Sequence, residues 1–390
     1  MNQSIKCSIR PLTPVHIGSG EEYGGSEFIL DKIKDVNVIR RVDIGEYFLS
    51  LSKERKDFVL DKLTQNKFSL DRENKENPID KKFTRYISRL HSSKPSNEIK
   101  ETIKTSDKPY IPGSSIKGSI KTSLLYNMVD DEDIKDLMSK ISIRHDRRGK
   151  EKAKLYPKDY DSFLDKFFSS TSRNSARYNI LRFLQISDTD TVLNPSIFNI
   201  ITLKAKDTNR AEESKYDPHR GSNGFLESVW GKILKFSMNL AYKNEFYDNS
   251  QSREKLGLLD KEDIIDLDNI KKSLYCFSKD YIKHEWEFAK KYGIEGLAIE
   301  YQDLYRRNTE EKPLLRVGSG SGFLGNTIAF KIKNYSEKNE QDKDETFYDI
   351  IRKTAYRHYP FEFPKSRKLV KVGNKYKPLG WTQIKFNEED

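Results

Sequence analysis

Alternating apolar and polar residues predict β-strands at both ends of the chain. Ile5, Cys7 and Ile9 alternate with polar residues near the start, and residues 234–242 and 382–386 alternate in the same way. A period of two places the apolar side chains on one face of a strand, so each segment is expected to be half-buried. Further strands are predicted at 27–30, 36–42, 181–187, 200–206 and 314–317.

Apolar residues three or four positions apart predict helices in other parts of the chain. Asp43 with Glu46 has the spacing of a capping box before a helix over 47–63, and residues 119–128 and 263–291 also have helical spacing. Ile79, Phe83, Ile87 and Leu90 predict a helix over 79–90. Polar stretches predict exposed insertions at 71–80, 91–107, 130–166 and 208–223.

Strands and helices interleave in both halves of the chain, and this order predicts an α+β protein of two domains rather than one parallel sheet. The first domain is expected over 1–190, with insertions at about 64–108 and 130–170. The second is expected over 191–390, with the helical region 263–291 and a glycine-rich loop at 318–325.

The charge balance favours an anionic partner. Lys and Arg number 71 against 60 Asp and Glu, which gives a formal net charge of +11. With 21 Tyr and 21 Phe the chain has enough aromatic residues for packed cores, which excludes wholesale disorder. Two cysteines exclude a disulfide framework, and no apolar run is long enough for a membrane span or a secretory signal. We therefore expect a cytoplasmic protein with a basic surface, for which nucleic acid is the most economical partner.

The glycines are concentrated in three short segments. Ten of the 20 glycines lie within 18–25, 113–118 and 318–325. Tight turns are one explanation, and close approach of phosphates to main-chain N–H groups is the other. Lys117 and Lys121 lie four residues apart beside Ser114 and Ser115, at a helix expected to start near Gly118, which favours an anion cradle over a solvated helix face.

Two glycine patterns do not predict a nucleotide cofactor. Gly320, Gly322 and Gly325 satisfy G-x-G-x-x-G, but no βαβ unit of the required kind follows them. The segment 113–118 begins like a P-loop, but Ser119 stands where that motif has its lysine. We expect no cofactor.

The other polar residues do not form a recognisable catalytic or metal-binding pattern. The six histidines are scattered, so no metal site is predicted. Asp188 and Asp190 are more typical of a turn than of a metal site. His16 has the position of a general base for RNA cleavage, but a packed histidine at a strand end is the preferred interpretation.

The segment 364–385 contains seven basic residues and no acidic ones. Tyr376 and Trp381 are interleaved with them, a pattern that suits single-stranded nucleic acid held by charge and stacking. A plain solvated basic tail fits the composition equally well.

Taken together and in order, these segments resemble the RAMP superfamily of CRISPR proteins. The resemblance rests on T-P-V-H-I-G-S-G at 13–20, Y-I-P-G-S-S-I-K-G at 110–118 and R-V-G-S-G-S-G-F-L-G at 316–325. P-K-S-R-K-L at 364–369 followed by P-L-G-W at 378–381 is similar to one family within it, the fifth subunits of type III-A Csm effector complexes.

The resemblance implies two ferredoxin-like (RRM-like) domains and a non-catalytic, RNA-binding role. Proteins of this family cap the filament of backbone subunits at the 3′ end of the single-stranded guide RNA (crRNA). They assist its maturation by recruiting host nucleases rather than by cutting. The implied partners are therefore the crRNA, the backbone and small Csm subunits and those nucleases, with no membrane. The D-N-P stretch of the target-cleaving backbone subunit is absent, since 24–28 reads G-G-S-E-F.

The resemblance also implies which residues contact RNA. Tyr110 and Phe323 are expected to stack on bases. With Phe323, the expected RNA-binding residues are His16, Gly18, Ser19, Ser114, Ser115, Lys117, Lys121, Arg316, Gly318, Ser319, Gly320, Ser321, Gly322, Lys365, Arg367 and Lys368. Two alternatives stay open: a metal-independent RAMP endoribonuclease with His16 as general base, and a structural scaffold whose basic surface meets acidic partners.

Overall fold

The structure is a computed structural model. It describes residues 3–91, 94–95, 98–140, 142–145, 151–154, 157–169, 178–205, 216–218, 224–241, 259–338, 364, 366–373 and 375–387. The predicted loop 208–223 lies largely outside these residues, and so does Lys365.

The described residues form nineteen strands and ten α-helices. The strands are β1 (Gln3–Pro11), β2 (Gly18–Tyr23), β3 (Phe28–Ile33), β4 (Val36–Val42), β5 (Thr84–Leu90), β6 (Ile99–Thr102), β7 (Lys104–Thr105), β8 (Lys108–Pro109), β9 (Ser142–His145), β10 (Glu151–Lys154), β11 (Leu184–Ile186), β12 (Ser196–Ala205), β13 (Tyr216–Pro218), β14 (Phe225–Ser228), β15 (Leu234–Leu240), β16 (Leu314–Arg316), β17 (Ser366–Val372), β18 (Lys375–Pro378) and β19 (Trp381–Asn387). The helices are α1 (Ile44–Ser50), α2 (Lys53–Thr64), α3 (Leu70–Glu76), α4 (Gly113–Met128), α5 (Asp131–Ser139), α6 (Pro157–Phe168), α7 (Leu267–Lys291), α8 (Glu295–Arg307), α9 (Gly322–Asn326) and α10 (Ala329–Lys338). The expected α+β class is confirmed.

A five-stranded antiparallel sheet carries the main hydrophobic core. Its strand order is β11-β15-β1-β19-β16, so strands from the two ends of the chain meet at its centre. Helix α4 contacts β11 and β16 of this sheet and packs against α7. Ile9 of β1, Ile120 of α4 and Leu274 of α7 are fully buried in that core.

The second sheet is larger and curls on itself. Its main path is β2-β6-β14-β12-β5-β4-β3, and β13, β17 and β18 extend it from β12. The two ends of the path are the consecutive strands β2 and β3, and the ring of Tyr23 contacts that of Phe28 at 6.2 Å between centroids. Both sheets take strands from each side of residue 190, and the domain division at that residue stays a prediction.

The predicted helix over 79–90 is wrong. A short 3-10 helix, Lys81–Phe83, leads into strand β5. Tyr86, Ser88 and Leu90 alternate as its buried residues, because β5 pairs with β4 on one side and β12 on the other. The predicted helix over 47–63 is divided, since Ser52 caps a new helix by accepting a hydrogen bond from the Arg55 N–H.

The predicted exposed insertions are partly structural. Asp71 and Glu73 of α3 are buried, and so is Ile99 of β6, which joins the second sheet. Ile134 of α5 and Phe163 of α6 belong to the main core, so the segment over 130–166 also contributes to packing. Among the helices within the described ranges, none has an apolar stretch long enough to cross a bilayer.

Candidate nucleic-acid interface

Three segments that are far apart in the chain meet between the two sheets. The Ser319 N–H donates to the His16 carbonyl at 2.8 Å, and the Gly380 N–H donates to the Pro14 carbonyl at 2.9 Å. The Val317 N–H donates in turn to the Gly380 carbonyl at 2.9 Å. We call residues 13–20, 316–322 and 378–381 together the glycine junction. It brings together three of the segments that the sequence singles out.

Two glycines of the junction are required by close main-chain packing. Gly318 has φ +72°, and a Cβ there would lie 2.3 Å from the His16 carbonyl oxygen. Gly380 has φ +84°, and a Cβ there would lie 2.3 Å from the Val317 carbonyl oxygen. Gly20 and Gly322 also have positive φ, but no atom lies within 4 Å of the position that a Cβ would take. The backbone is therefore open to a ligand at these two glycines rather than at Gly318 and Gly380.

Helix α4 begins at Gly113, five residues earlier than predicted. The Gly113 N–H donates to the Asp188 carboxylate at 2.8 Å, and a Cβ at Gly113 would lie 2.2 Å from the Ile186 carbonyl oxygen. A carboxylate thus occupies the helix N-terminus that was expected to hold an anion. The Ser119 hydroxyl donates to the Arg316 carbonyl at 2.5 Å, which fastens α4 to the glycine junction.

The basic and hydroxyl side chains predicted on α4 differ in their surroundings. Lys117 is half-buried, and burial lowers the pKa of its ammonium group. Within the described part of the chain, no carboxylate pairs with Lys117. The Lys121 ammonium lies 5.7 Å from the centre of the Phe168 ring. Ser114 is exposed and Ser115 is half-buried. Of the two α4 lysines, Lys117 is therefore the one for which the described residues provide neither a carboxylate nor an aromatic ring as a partner.

His16 is a packed residue, as preferred from the sequence. Only 5% of its surface is exposed, and Nδ1 lies 2.7 Å from the Glu227 carbonyl oxygen. Burial lowers its pKa, and the charges of Lys100, Lys104 and Lys368 lower it further, which outweighs the opposite effect of the hydrogen bond to Glu227. The imidazole is thus neutral at pH 7. Gly18 and Ser19 beside it are exposed, and the Ser19 hydroxyl donates to the Glu101 carbonyl at 3.2 Å.

A buried carboxylate that the sequence did not indicate supports the His16 segment. Glu227 is fully buried, and its carboxylate accepts hydrogen bonds from the Tyr23 hydroxyl at 2.8 Å and the Tyr86 hydroxyl at 2.9 Å. It also accepts from the Thr102 N–H at 3.2 Å and pairs with the Lys104 ammonium at 2.5 Å. These partners are more than 120 residues away from Glu227 in sequence, so no local sequence pattern could have predicted this network.

Arg316 is not placed to contact a phosphate. It is 7% exposed, and its guanidinium donates to the Leu379 carbonyl at 2.9 Å and the Tyr281 hydroxyl at 3.2 Å. The Tyr281 hydroxyl donates in turn to the Ser321 carbonyl at 3.0 Å. The expectation of a direct phosphate contact is therefore wrong, because these bonds use the arginine to hold the junction together.

The glycine-rich loop is only partly open. Ser321 is buried and its hydroxyl donates to the Gly318 carbonyl at 2.7 Å. A Cβ at Gly320 would lie 2.7 Å from Leu379 Cβ. Gly322 is exposed, and Phe323 beside it is 39% exposed, as base stacking requires. Tyr110, the other predicted stacking residue, is half-buried.

The basic segment 364–385 is not a solvated tail but three strands, β17, β18 and β19. Trp381 is fully buried, so its ring is not available to stack on a base. Arg367 is also buried, and its guanidinium donates to the Glu285 carboxylate at 3.2 Å from both Nε and Nη2. Lys368 is exposed and close enough to His16 to affect its pKa. Of the basic residues expected to bind RNA in this segment, only Lys368 is both described and accessible.

The two aspartates at 188 and 190 have structural roles. Asp188 caps α4, and the Asp190 carboxylate accepts a hydrogen bond from the Lys235 N–H at 2.7 Å. Over the ranges that the structure covers, no group of three or more His, Cys, Asp or Glu side chains is arranged to hold a metal ion.

Comparison with known proteins assigns the chain to a family. The family model described as the RAMP superfamily matches residues 8–354. A curated protein of Methanocaldococcus jannaschii, named CRISPR system Cms protein Csm5, is 25% identical over 418 residues, covering 100% of this chain and 90% of its own length. A Streptococcus thermophilus protein of the same name is 29% identical over 140 residues, covering 32% of this chain and 38% of its own.

Solved structures share the fold over almost the whole chain. A chain of the cryo-EM structure of a Csm–crRNA–target RNA ternary complex in a type III-A CRISPR-Cas system has a TM-score of 0.66 at 19% identity, covering 98% of this chain and 100% of its own. The crystal structure of T. onnurineus Csm5 has a TM-score of 0.59 at 17% identity, covering 96% and 99%.

Proposed function

The chain belongs to the RAMP superfamily, and from this we propose that it is a non-catalytic RNA-binding subunit of a type III-A CRISPR effector complex. It caps the backbone filament at the crRNA 3′ end and assists crRNA maturation. The glycine junction carries the proposal, because it joins the family segments into one surface with open backbone at Gly20 and Gly322. The similarity to proteins named Csm5 supports the choice of complex.

The accessible groups at the junction and on α4 favour recognition of the RNA backbone. Lys117 and Lys368 provide positive charge, and main-chain N–H groups at open glycines suit phosphate oxygens. Phe323 offers one exposed ring for a base. Contacts of this kind are mainly electrostatic, so binding is salt-dependent and weakly sequence-specific.

Replacing Lys117 with alanine is expected to weaken binding of single-stranded RNA by a similar factor for every sequence. One phosphate contact contributes about 0.7 to the slope of log K against log salt for single strands, and the variant should lose about that much. Fluorescence anisotropy with labelled oligonucleotides of different sequence, titrated at several salt concentrations, measures both quantities. Lys135→Ala on the exposed surface of α5 is the matched control. An unchanged slope, or a loss confined to one sequence, contradicts the phosphate role.

No cleavage of CRISPR repeat RNA is expected in EDTA. His16 is neutral but buried, and its Nδ1 is engaged with the main chain of Glu227, so it is poorly placed to take a proton from a ribose hydroxyl. The assay is incubation of labelled repeat RNA with purified protein, followed by gel analysis. Cleavage that disappears in His16→Ala and persists in Lys135→Ala would establish the endoribonuclease instead.

The place in the complex is tested by expressing the backbone and small Csm subunits with a CRISPR array, with and without this protein, in a host that supplies the trimming nucleases. Omission of this protein should leave filaments of uneven length with longer crRNA 3′ ends, measured by native mass spectrometry and RNA sequencing. If filaments and crRNA ends are the same with and without the protein, the capping and maturation roles are wrong. If the protein joins the complex equally well without RNA, the scaffold alternative is favoured.

A further inference from the structure

Helix α7 carries a basic and aromatic surface that is separate from the glycine junction. An α-helix turns about 100° per residue, so positions three, four, seven and eleven apart lie along one side. From residue 272 onward, one side of α7, about 80° wide, contains only lysines and aromatic residues. We call it the lysine stripe: Lys272, Tyr275, Lys279, Lys283, Trp286 and Lys290.

The lysine stripe faces away from the core. The buried side of α7 includes Leu274, Phe277 and Tyr281, and Tyr281 is the residue that contacts the glycine junction. On the helical geometry, Tyr281 lies about 160° from the middle of the stripe. Every side chain of the stripe is exposed or half-buried. The stripe therefore forms a second surface on the opposite side of α7 from the junction.

The aromatic rings of the stripe are held in place and each is accompanied by a cation. The Lys279 ammonium lies 5.3 Å from the centre of the Tyr275 ring, and the Lys290 ammonium lies 4.1 Å from that of Trp286. Tyr305 of α8 packs against Trp286 with 6.0 Å between ring centres. Fixed rings beside flexible ammonium groups suit a ligand that has both flat bases and phosphates.

The acidic residues of α7 do not cancel this charge. Asp280 lies outside the stripe and accepts a hydrogen bond from the Tyr126 hydroxyl at 2.8 Å. Glu287 also lies outside it and is 3.9 Å from the Lys283 ammonium, with both side chains more than half exposed, so that pair contributes little. Asp268 precedes the stripe and pairs with Lys271 at 3.7 Å.

We propose that the lysine stripe binds single-stranded RNA independently of the glycine junction. Lysines at intervals of four or seven residues neutralise phosphates along the helix, while Trp286 and Tyr275 stack on unpaired bases. The stripe is about 27 Å long at 1.5 Å per residue, enough to follow several nucleotides. A duplex hides the faces of its bases, so single strands are the preferred form.

The test compares full-length variants in binding to labelled 20-nucleotide oligouridine. Replacing Lys272, Lys279, Lys283 and Lys290 together with glutamine should lower affinity at least tenfold and reduce the salt slope by about 2–3. Trp286→Ala should lose about tenfold in affinity, and Trp286→Phe should retain most of it. Lys291→Gln, on the same helix outside the stripe, is the control and should bind normally. Circular dichroism melting checks that every variant folds.

Each outcome supports or overturns the proposal. An unchanged affinity and slope in the four-lysine variant shows that the stripe is only a solvated face. Normal RNA binding with lost copurification of other Csm subunits shows that it is a protein interface. Lys117→Ala is measured in the same assay: if it binds normally while the stripe variants fail, the junction proposal is wrong and the stripe stands. The reverse pattern overturns the stripe alone.

Discussion

Replacing Gly318 with alanine is expected to destabilise the protein by about 2–5 kcal/mol. The positive φ of +72° costs an alanine about 1–2 kcal/mol, and forcing atoms into a packed site costs about 1–3 kcal/mol more. Here the new Cβ would lie 2.3 Å from the His16 carbonyl oxygen, whose position is held by the hydrogen bond to Ser319. The backbone on both sides must shift, so the junction is expected to open and RNA affinity to fall as well.

Gly322→Ala separates the cost of the positive φ from the cost of close packing. Gly322 has a similar φ of +69°, but no atom lies within 4 Å of the added Cβ. The free energy of unfolding of Gly322→Ala should therefore fall only by the conformational cost of about 1–2 kcal/mol. Urea unfolding of both variants and the natural protein gives the free energies to compare. Equal destabilisation by the two substitutions would show that close packing against His16 does not determine the choice of glycine at 318.

Arg367→Ala is expected to cost about 3–5 kcal/mol, because it leaves the buried carboxylate of Glu285 without its cation. Arg367 also lies 3.7 Å from the centre of the Phe288 ring, so packing is lost with the charge. Lys368→Ala is the matched control, since its side chain is exposed and should change stability by no more than about 0.5 kcal/mol. For RNA affinity the order should be reversed, with a larger loss in Lys368→Ala than in Arg367→Ala. The affinities are measured at a temperature below that at which Arg367→Ala begins to unfold.

The pH dependence of the same pair gives a second measurement. Burial would raise the pKa of Glu285, but the charge of Arg367, with His284 and Arg316, holds it below its ordinary value. A lowered carboxyl pKa stabilises the folded state above the unfolded pKa of about 4.3, and this contribution is lost as pH falls through the folded pKa. In Arg367→Ala burial raises the pKa, so the stability gap to the natural protein should narrow from pH 7 to pH 4. A constant gap would contradict the ion-pair explanation.

The sequence predicted those elements correctly in which the local apolar pattern agrees with the burial that the fold imposes. Leu234–Leu240 alternates cleanly and is a central strand, and the helical spacing around Leu274 belongs to α7. Residues 79–90 failed because Ile79, Phe83, Ile87 and Leu90 fit a helix by spacing, whereas pairing with β4 and β12 selects a strand. The tertiary partners, and not the local pattern, decided that element.

The sequence also failed to predict the contacts between distant residues that form the candidate site. The glycine segments were recognisable, but their hydrogen bonds join His16 to Ser319 and Pro14 to Gly380, residues that only the fold brings together. Arg316 and Arg367 were expected to bind RNA because each lies in a segment that resembles the family, Arg316 before the glycine-rich loop and Arg367 in P-K-S-R-K-L. Their buried partners, Tyr281 and Glu285, lie on a helix whose contacts the sequence does not specify. Charge counts thus overestimated the accessible cations of the segment 364–385.

The pairing of the first and last described strands has a consequence for synthesis in the cell. Lys6 of β1 lies opposite Asn387 of β19, and β19 separates β1 from β16 at the centre of the first sheet. At about 5–20 residues per second, β1 waits roughly 20–80 s on the ribosome before that neighbour is made. During this time one edge of β1 is unpaired and its apolar face lacks part of its cover, which invites aggregation. Expression yield should therefore depend on chaperones that bind the nascent N-terminal segment.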